Sequence, residues 1–433
     1  MLRVLIISAA SLIGLMALIF FKPSVLFKGR SINVYWLAPL LGACALVFFG
    51  HLGFGEVLEG LTKSSGMNPI KILVLLISMT VISIYLDNAG FFSFIAARML
   101  GIAGTSAKAL FFLLYAIVSF LTFFTSNDII VLTFTPFICY FARSAKIDPI
   151  PFLVCEFVAA NTWSMALIIG NPTNIYLASN AGIEFFEYLK TMILPTLACA
   201  LVSLLLMWLI FKKKLSLPIT AAEGRASLSN RFHVYTALAH LIVCIVLMSV
   251  SLYIDMPIWL ISLCACISLM LFSFGYSLVK RIKPKLIKAT LRRAPWDVIP
   301  FVISMFVIVL AFEKSGITEK LTAFLSKGQP VFTFGSAAFL SANLINNIPM
   351  SVLFSSVCGG VEGSFMLQAL YSSIAASNIG AFLTPIGAIA GIMWMSLLKI
   401  QRVEFGYADF IKYGALISIP TMLAALVTLS VLL

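Results

Sequence analysis

Apolar positions along the chain come in long unbroken runs rather than in alternation. The runs at 2–21, 34–50, 70–88, 191–211, 236–254, 257–278, 297–313 and 411–433 are each long enough to cross a bilayer as a helix. Two longer apolar segments, 150–181 and 366–396, carry helix breakers inside them: Gly170-Asn171-Pro172-Thr173-Asn174 and Leu383-Thr384-Pro385-Ile386-Gly387. Proline removes a backbone donor, and each unpaired backbone group in lipid costs several kcal/mol. Such interruptions therefore predict helices broken at membrane depth, where they line a polar cavity inside the protein.

Two further apolar segments carry polar residues near their centres. Lys108 and Arg143 flank 109–143, whose middle reads Thr125-Ser126-Asn127-Asp128. About 35 residues can hold two half-depth helices at 1.5 Å per residue, so the segment predicts a re-entrant hairpin that enters and leaves on one side. Segment 333–360 repeats the pattern, with Asn346-Asn347 at its tip.

Composition confirms the setting: 433 residues, 61% hydrophobic and only 10% charged, exclude a soluble globular domain. The run at 2–21 lacks a small-residue cleavage site after Phe21 and reads as a retained span. The net charge of +13 is no nucleic-acid footprint, because it lies in loops. Lys212, Lys213, Lys214, Arg225 and Arg231 form one basic loop. Lys280, Arg281, Lys283, Lys285, Lys288, Arg292 and Arg293 form another, two spans later. Both therefore face one side, which the positive-inside rule makes the cytoplasm. Lys22, Lys28, Arg30, Arg143, Lys146, Lys399 and Arg402 fall on the same side, with Glu184 and Glu187 opposite and both termini outside. The expected location is the plasma membrane, multi-pass, of bacterial or archaeal inner-membrane type.

The chain also repeats itself. Ser78-Met79, Val81-Ile82, Asp87 and Gly90 recur as Ser304-Met305, Val307-Ile308, Glu313 and Gly316, at a constant offset of 226 (304 against 78). The hairpin tips and the breaks follow in the same order, Gly170–Asn174 aligning with Leu383–Gly387. Counting outward from the basic loops mounts the two copies in opposite directions. The expected fold is an all-α polytopic membrane protein with two inverted repeats, about ten spans plus two re-entrant hairpins, and broken helices at the midplane. The first repeat covers 1–211, a basic cytoplasmic linker 212–235, and the second repeat 236–433. This is the architecture of secondary transporters.

The candidate binding residues follow from it. A break exposes a partly positive helix N-terminus and partly negative carbonyls. Gly170, Asn171, Pro172, Thr173 and Asn174 at the first break, and Thr384, Pro385 and Gly387 at the second, are candidates for solute or ion binding. Ser126, Asn127 and Asp128 at the first tip join them, with Asn346 and Asn347 at the second. Asp128 is the candidate coupling group, since an acid at membrane depth is a functional site by default. Asn161 and Thr162, with Ser377 and Asn378, lie just before the breaks, although Ser and Thr in such helices often only bond their own backbone. Asp87 and Glu313 read as span-boundary residues.

Eight cysteines and three histidines show no metal-ligand spacing, so neither a metal nor a cofactor is expected. No GxxxxGK[ST] loop occurs. An ATPase partner subunit stays open, as does a homodimer. An intramembrane enzyme would need a nucleophile–base pair or metal ligands in the cavity segments, and His is absent there. A passive channel is at odds with inverted repeats and breaks.

Particular stretches resemble a known family. Ala294-Pro295-Trp296, Ser315-Gly316-Ile317-Thr318-Glu319, Asn346-Asn347-Ile348-Pro349 and Leu383-Thr384-Pro385-Ile386-Gly387 are similar to the arsenite permeases of the ion transporter superfamily. NhaD-type antiporters and citrate and dicarboxylate carriers also belong to that superfamily. In the first half, Leu86-Asp87-Asn88-Ala89-Gly90-Phe91-Phe92 and Asn127-Asp128 agree. Asn161 stands where those permeases carry an acid. The resemblance implies a scaffold, a mobile part bearing the hairpins and broken helices, and efflux of a small inorganic oxyanion or oxyacid, arsenite or antimonite first, against proton entry. The alternatives are a sodium/proton antiporter or a small-carboxylate carrier. No Lys or Arg stands at the tips or breaks, which suits a neutral oxyacid or a cation better than a dicarboxylate.

Overall fold

The computed structural model of the protein describes residues 1–21, 24–27, 30–62, 68–216, 231–251 and 253–433. Lys22, Lys28 and Arg225 of the expected basic face lie outside them.

Each expected span is a helix, or a pair of helices about a break. The first half runs α1 (Leu2–Phe21), α2 (Leu37–Phe48), α3 (Phe54–Thr62), α4 (Pro69–Asn88), α5 (Phe91–Ala103), α6 (Ala107–Phe124), α7 (Asn127–Ala145), α8 (Ile150–Trp163), α9 (Pro172–Asn180) and α10 (Phe185–Phe211). The second runs α11 (Arg231–Ser249), α12 (Ile258–Val279), α13 (Lys285–Arg293), α14 (Val298–Lys314), α15 (Ile317–Leu325), α16 (Pro330–Ile345), α17 (Asn347–Gly359), α18 (Phe365–Gly380), α19 (Ile389–Ile400) and α20 (Tyr407–Leu432). The halves match element for element. Among the described residues the one pair of strands is a short antiparallel hairpin, β1 (Ser24–Phe27) with β2 (Arg30–Asn33), between α1 and α2.

The match includes short helices that apolar runs did not predict. α3 and α13 precede the central helices α4 and α14, and α5 and α15 follow them after Gly90 and Gly316. Both glycines adopt positive φ, 90° and 68°, which turns the chain sharply where an L side chain would be strained. The hairpins are α6–α7 and α16–α17. The arms of the first, 18 and 19 residues, are longer than the half-depth pieces expected. Its tip nonetheless stops part-way, since Thr125 and Ser126 share a crevice with Met79, Thr80 and Ser83 in the middle of α4.

Contacts between helix ends establish the opposite mounting. Asp87 at the end of α4 pairs with Arg293 at the end of α13, which leads into α14, and Asn88 Nδ2 donates to Thr290 Oγ1 at 3.2 Å. The end of α4 and the start of α14 therefore share a face, and the two central helices run antiparallel. Arg143 Nη2 donates to Gln401 O (2.9 Å), and Lys214 pairs with Asp148 (2.5 Å), on that same face. Lys314 with Glu56 (2.7 Å) and Gln368 with the Leu433 carbonyl (3.1 Å) tie the opposite face.

Within lipid, helices gain little from hydrophobic burial against each other, and close approach at small residues takes over. α16 and α18 pack on Gly335, Ala338 and Ala342 against Ala369, Ser372, Ala375 and Ala376, all buried. The copies also interlock: α10 packs on α20, α7 on α19, and α9 on both α17 and α18.

The sidedness is testable in a cysteine-free background. Lys320→Cys should react with a membrane-impermeant maleimide in intact cells. Lys213→Cys should react only after permeabilisation, and the reverse pattern would invert the whole topology.

Candidate functional site

The two breaks have the same backbone. α8 ends at Trp163, a 3-10 turn covers Ile168–Gly170, and α9 starts after Asn171 in extended conformation (φ −144°, ψ 139°). α18 ends at Gly380, a 3-10 turn covers Pro385–Gly387, and α19 starts after Ala388 (φ −148°, ψ 155°). Gly170 thus corresponds to Gly387 and Asn171 to Ala388, four residues away from the alignment the prolines suggested. The prolines have different places: Pro172 opens α9, where its missing N–H costs nothing, whereas Pro385 opens the 3-10 turn. A Cβ at Gly170 would lie 2.1 Å from the Ser164 carbonyl oxygen, and one at Gly387 2.3 Å from that of Gly380. Only glycine lets the chain fold back on itself this closely.

Side chains satisfy what the first break exposes. Asn174 Nδ2 donates to the carbonyls of Ser164 (2.7 Å) and Leu167 (3.1 Å). Tyr188 of α10 donates to the Met165 carbonyl at 3.0 Å. Asn171 Oδ1 accepts from the Thr173 N–H (3.2 Å) and caps α9. The second break is served from the other hairpin. Asn346 Nδ2 donates to the Ile386 carbonyl at 2.8 Å, and Asn343 Oδ1 accepts from the Thr384 N–H (3.1 Å) and Oγ1 (2.7 Å). Asn346 itself has φ 75°, and its Oδ1 caps α17 at the Ile348 N–H (3.2 Å).

One amide joins the copies. Asn378 Oδ1 accepts from Ser164 Oγ (2.8 Å) and from Asn171 Nδ2 (3.0 Å), while its Nδ2 donates to Asn174 Oδ1 at 2.7 Å. Next to it Ser377 Oγ donates to Thr173 Oγ1 at 2.5 Å. Asn161, Thr162, Ser164, Thr173, Asn174, Ser377 and Asn378 are completely buried. Asn127 Nδ2, at the tip of the first hairpin, donates to Asn161 Oδ1 at 2.9 Å.

The structure therefore gathers Asn127, Asn161, Asn171, Thr173, Asn174, Ser377 and Asn378 into one network. Thr384 and Gly387 meet Asn343 of the second hairpin instead, and Asn346 at its tip reaches the Ile386 carbonyl just after Pro385, where the buried Asn347 opens α17. Ser126 and Pro172 line a narrow crevice of about 10 Å³ with α4, room for a single water. Two buried oxygens, Asn127 Oδ1 at the tip and Thr162 Oγ1 on α8, have no hydrogen-bond partner among the described residues. Asp128, half-buried beside Asn127, has no hydrogen bond or ion pair among the described residues. Trp163 packs edge-on against Phe123 of the hairpin, with centroids 6.4 Å apart.

Several residues were missed. Asn343 was visible as a polar residue three before Asn346 in an apolar run. Asp87 and Glu313 stand at helix ends, as expected of boundary residues, and each also holds a hairpin: Asp87 Oδ1 accepts from Thr133 Oγ1 of α7 (2.8 Å), and Glu313 accepts from Ser356 of α17. Glu156, the one acid in Ile150-Pro-Phe-Leu-Val-Cys-Glu-Phe, is fully buried on α8 against Thr135.

Residues 16–375 match the family model described as a citrate transporter. The chain belongs to that family. Similar proteins include an arsenical pump membrane protein of Escherichia coli, 23% identical over 420 residues, covering 94% of this chain and 95% of that one. A putative arsenical pump membrane protein of Bacillus subtilis (strain 168) is 23% identical over 444 residues, 96% of each chain. Among solved structures, the YdaH transporter of Alcanivorax borkumensis superposes with a TM-score of 0.57 over 99% of this chain and 97% of that one, at 17% identity, and shares the fold. The protein is thus a multi-pass membrane transporter of the citrate transporter family, of a kind resembling the arsenical pumps.

Removing the shared amide should be costly. Asn378→Ala takes the partner from two buried atoms, Asn171 Nδ2 and Asn174 Oδ1, and leaves Ser164 Oγ only the Asn161 carbonyl; each buried polar atom so stranded costs about 1–3 kcal/mol. Thermal unfolding in detergent should show a large fall in Tm. Gly170→Ala should be similarly damaging, whereas Gly275→Ala, which meets nothing within 4 Å, should leave Tm unchanged.

Proposed function

We propose that the protein is a secondary active transporter of a small inorganic oxyacid, arsenite or antimonite first, exporting it against proton entry. The observation that carries this reading is the buried Asn127 Oδ1, without a hydrogen-bond partner among the described residues and next in the chain to the Asp128 carboxyl, with Thr162 Oγ1 likewise unpartnered on α8 beside the Asn161 that Asn127 touches. A neutral oxyacid presents hydroxyl donors, and a cluster of acceptors without a cation complements it. The similarity to arsenical pumps over nearly the whole chain points the same way.

A tricarboxylate would need paired cations in its site. The tips and breaks carry none. A sodium/proton antiporter is the second reading. It is less favoured because the carbonyls of Ser164, Met165 and Leu167 already accept hydrogen bonds from Asn174 and Tyr188, which leaves fewer oxygens for a sodium ion.

In this reading the inverted repeats 1–211 and 236–433, joined by the basic linker 212–235, supply a scaffold and a moving part. The hairpins and broken helices are the elements that shift, against α4 and α14 and at their contacts with one another. A cavity of about 410 Å³, lined by Lys71, Ser179, Glu184, Asp255 and Trp259, opens on the face opposite the basic loops. α4 and α9 line both this cavity and the crevice at the first tip, so the cavity serves as the outer mouth. Asp128 takes up the coupling proton as the solute leaves. The reading involves no catalysis or cofactor, and a homodimer or an ATPase partner is compatible with it.

Everted membrane vesicles test it. Arsenite should accumulate when the lumen is acidic, and Asp128→Asn should cut that accumulation by about tenfold or more. Sodium-dependent alkalinisation without arsenite flux would replace this reading with the antiporter.

A further inference from the structure

Glu156 stands apart from the network at the break. It lies five residues before Asn161 on α8, and Thr135 lies eight residues beyond Asn127 on α7. α7 runs toward the basic face and α8 away from it. The Thr135–Glu156 contact is therefore a second rung between these helices, about 10 Å nearer the basic face than the Asn127–Asn161 rung.

Thr135 Oγ1 lies 3.1 and 3.0 Å from the two carboxyl oxygens and is their one hydrogen-bond partner among the described residues. Trp394 of α19 turns its indole N–H toward the same carboxyl. That N–H is buried and has no hydrogen-bond partner of its own. The nearby titratable groups are the thiols of Cys139 on α7 and Cys155 on α8. On the other helices packed against α8, Tyr115 of α6 is bonded to the Ala200 carbonyl and Cys199 of α10 to that of Thr421. No Lys, Arg or His among the described residues pairs with Glu156.

A buried carboxylate with one neutral donor and no cation is costly, whereas the neutral acid needs only one donor and one acceptor. Thr135 can supply both. The three helices around the group belong to the first hairpin, the first broken helix and the second broken helix. Any movement that separates them lets water reach the acid. We infer that Glu156 is a second proton-binding site of the transport cycle, filled while α7, α8 and α19 are packed and emptied toward the cytoplasmic face when they part. The step is a simple ionisation, carboxylic acid to carboxylate, with the proton passing to water. This inference rests on the proton-coupled reading for its place in the cycle, not for the existence of the bound proton.

Two measurements separate these claims. In everted vesicles, Glu156→Gln should lower proton-driven arsenite accumulation by about tenfold or more while arsenite exchange without a pH gradient continues, and Glu156→Asp should restore part of the loss. Undiminished proton-driven accumulation in Glu156→Gln would overturn the inference. Infrared spectra of the purified protein at neutral pH should show a protonated-carboxyl band that Thr135→Val shifts and Glu156→Gln removes. Absence of any such band overturns the bound proton, whatever the solute proves to be. Its presence in a protein that moves no arsenite would retain the proton site and discard the oxyacid.

Discussion

Unpaired backbone at membrane depth is the constraint on which this structure turns. Lipid offers no hydrogen bonds, so a helix stopped mid-membrane must have every freed carbonyl and N–H met by the protein. Here the task falls mainly to asparagine, whose amide both donates and accepts without bringing a charge. Asn174 closes two carbonyls of the first break, Asn171 caps the helix beyond it, and Asn343 and Asn346 do the same work at the second break. The packing of small residues around α16 and α18 then brings these elements close enough for such bonds to form.

The breaks share a backbone but differ in how they are closed. At the first, the asparagines belong to the broken helix itself. At the second, the equivalent positions are Ala388 and Gly391, too small to bond anything, and the opposing hairpin supplies the amides. The first break therefore keeps its geometry independently of its hairpin, to which the Asn127–Asn161 bond ties it. The second depends on its hairpin for its shape.

Much of this was legible in the sequence because polar residues stand out against an apolar background. The tips at Asn127 and Asn346, both breaks, the spans and their opposed mounting could be read that way. The short helices α3, α13 and α15 could not, since nine amphipathic residues leave no long apolar run, and the 13 largely apolar residues of α5 are too few to span a bilayer. The prolines suggest a correspondence between the breaks that is four residues off, because steric closeness at Gly170 and Gly387, not proline, sets the shared backbone. Glu156 carries no such signal, being a single acid in an apolar run with no spacing to a partner. Asp87 and Glu313 were rightly placed at helix ends, but their bonds to the hairpins depend on neighbours that no local spacing reveals.

The position of Asn378 has an implication for assembly. Its amide belongs to the second copy, yet three of its four hydrogen bonds reach Ser164, Asn171 and Asn174 of the first. Neither half can complete its own interior when made alone, and during synthesis the first break must wait, incompletely bonded, until the last third of the polypeptide has entered the bilayer.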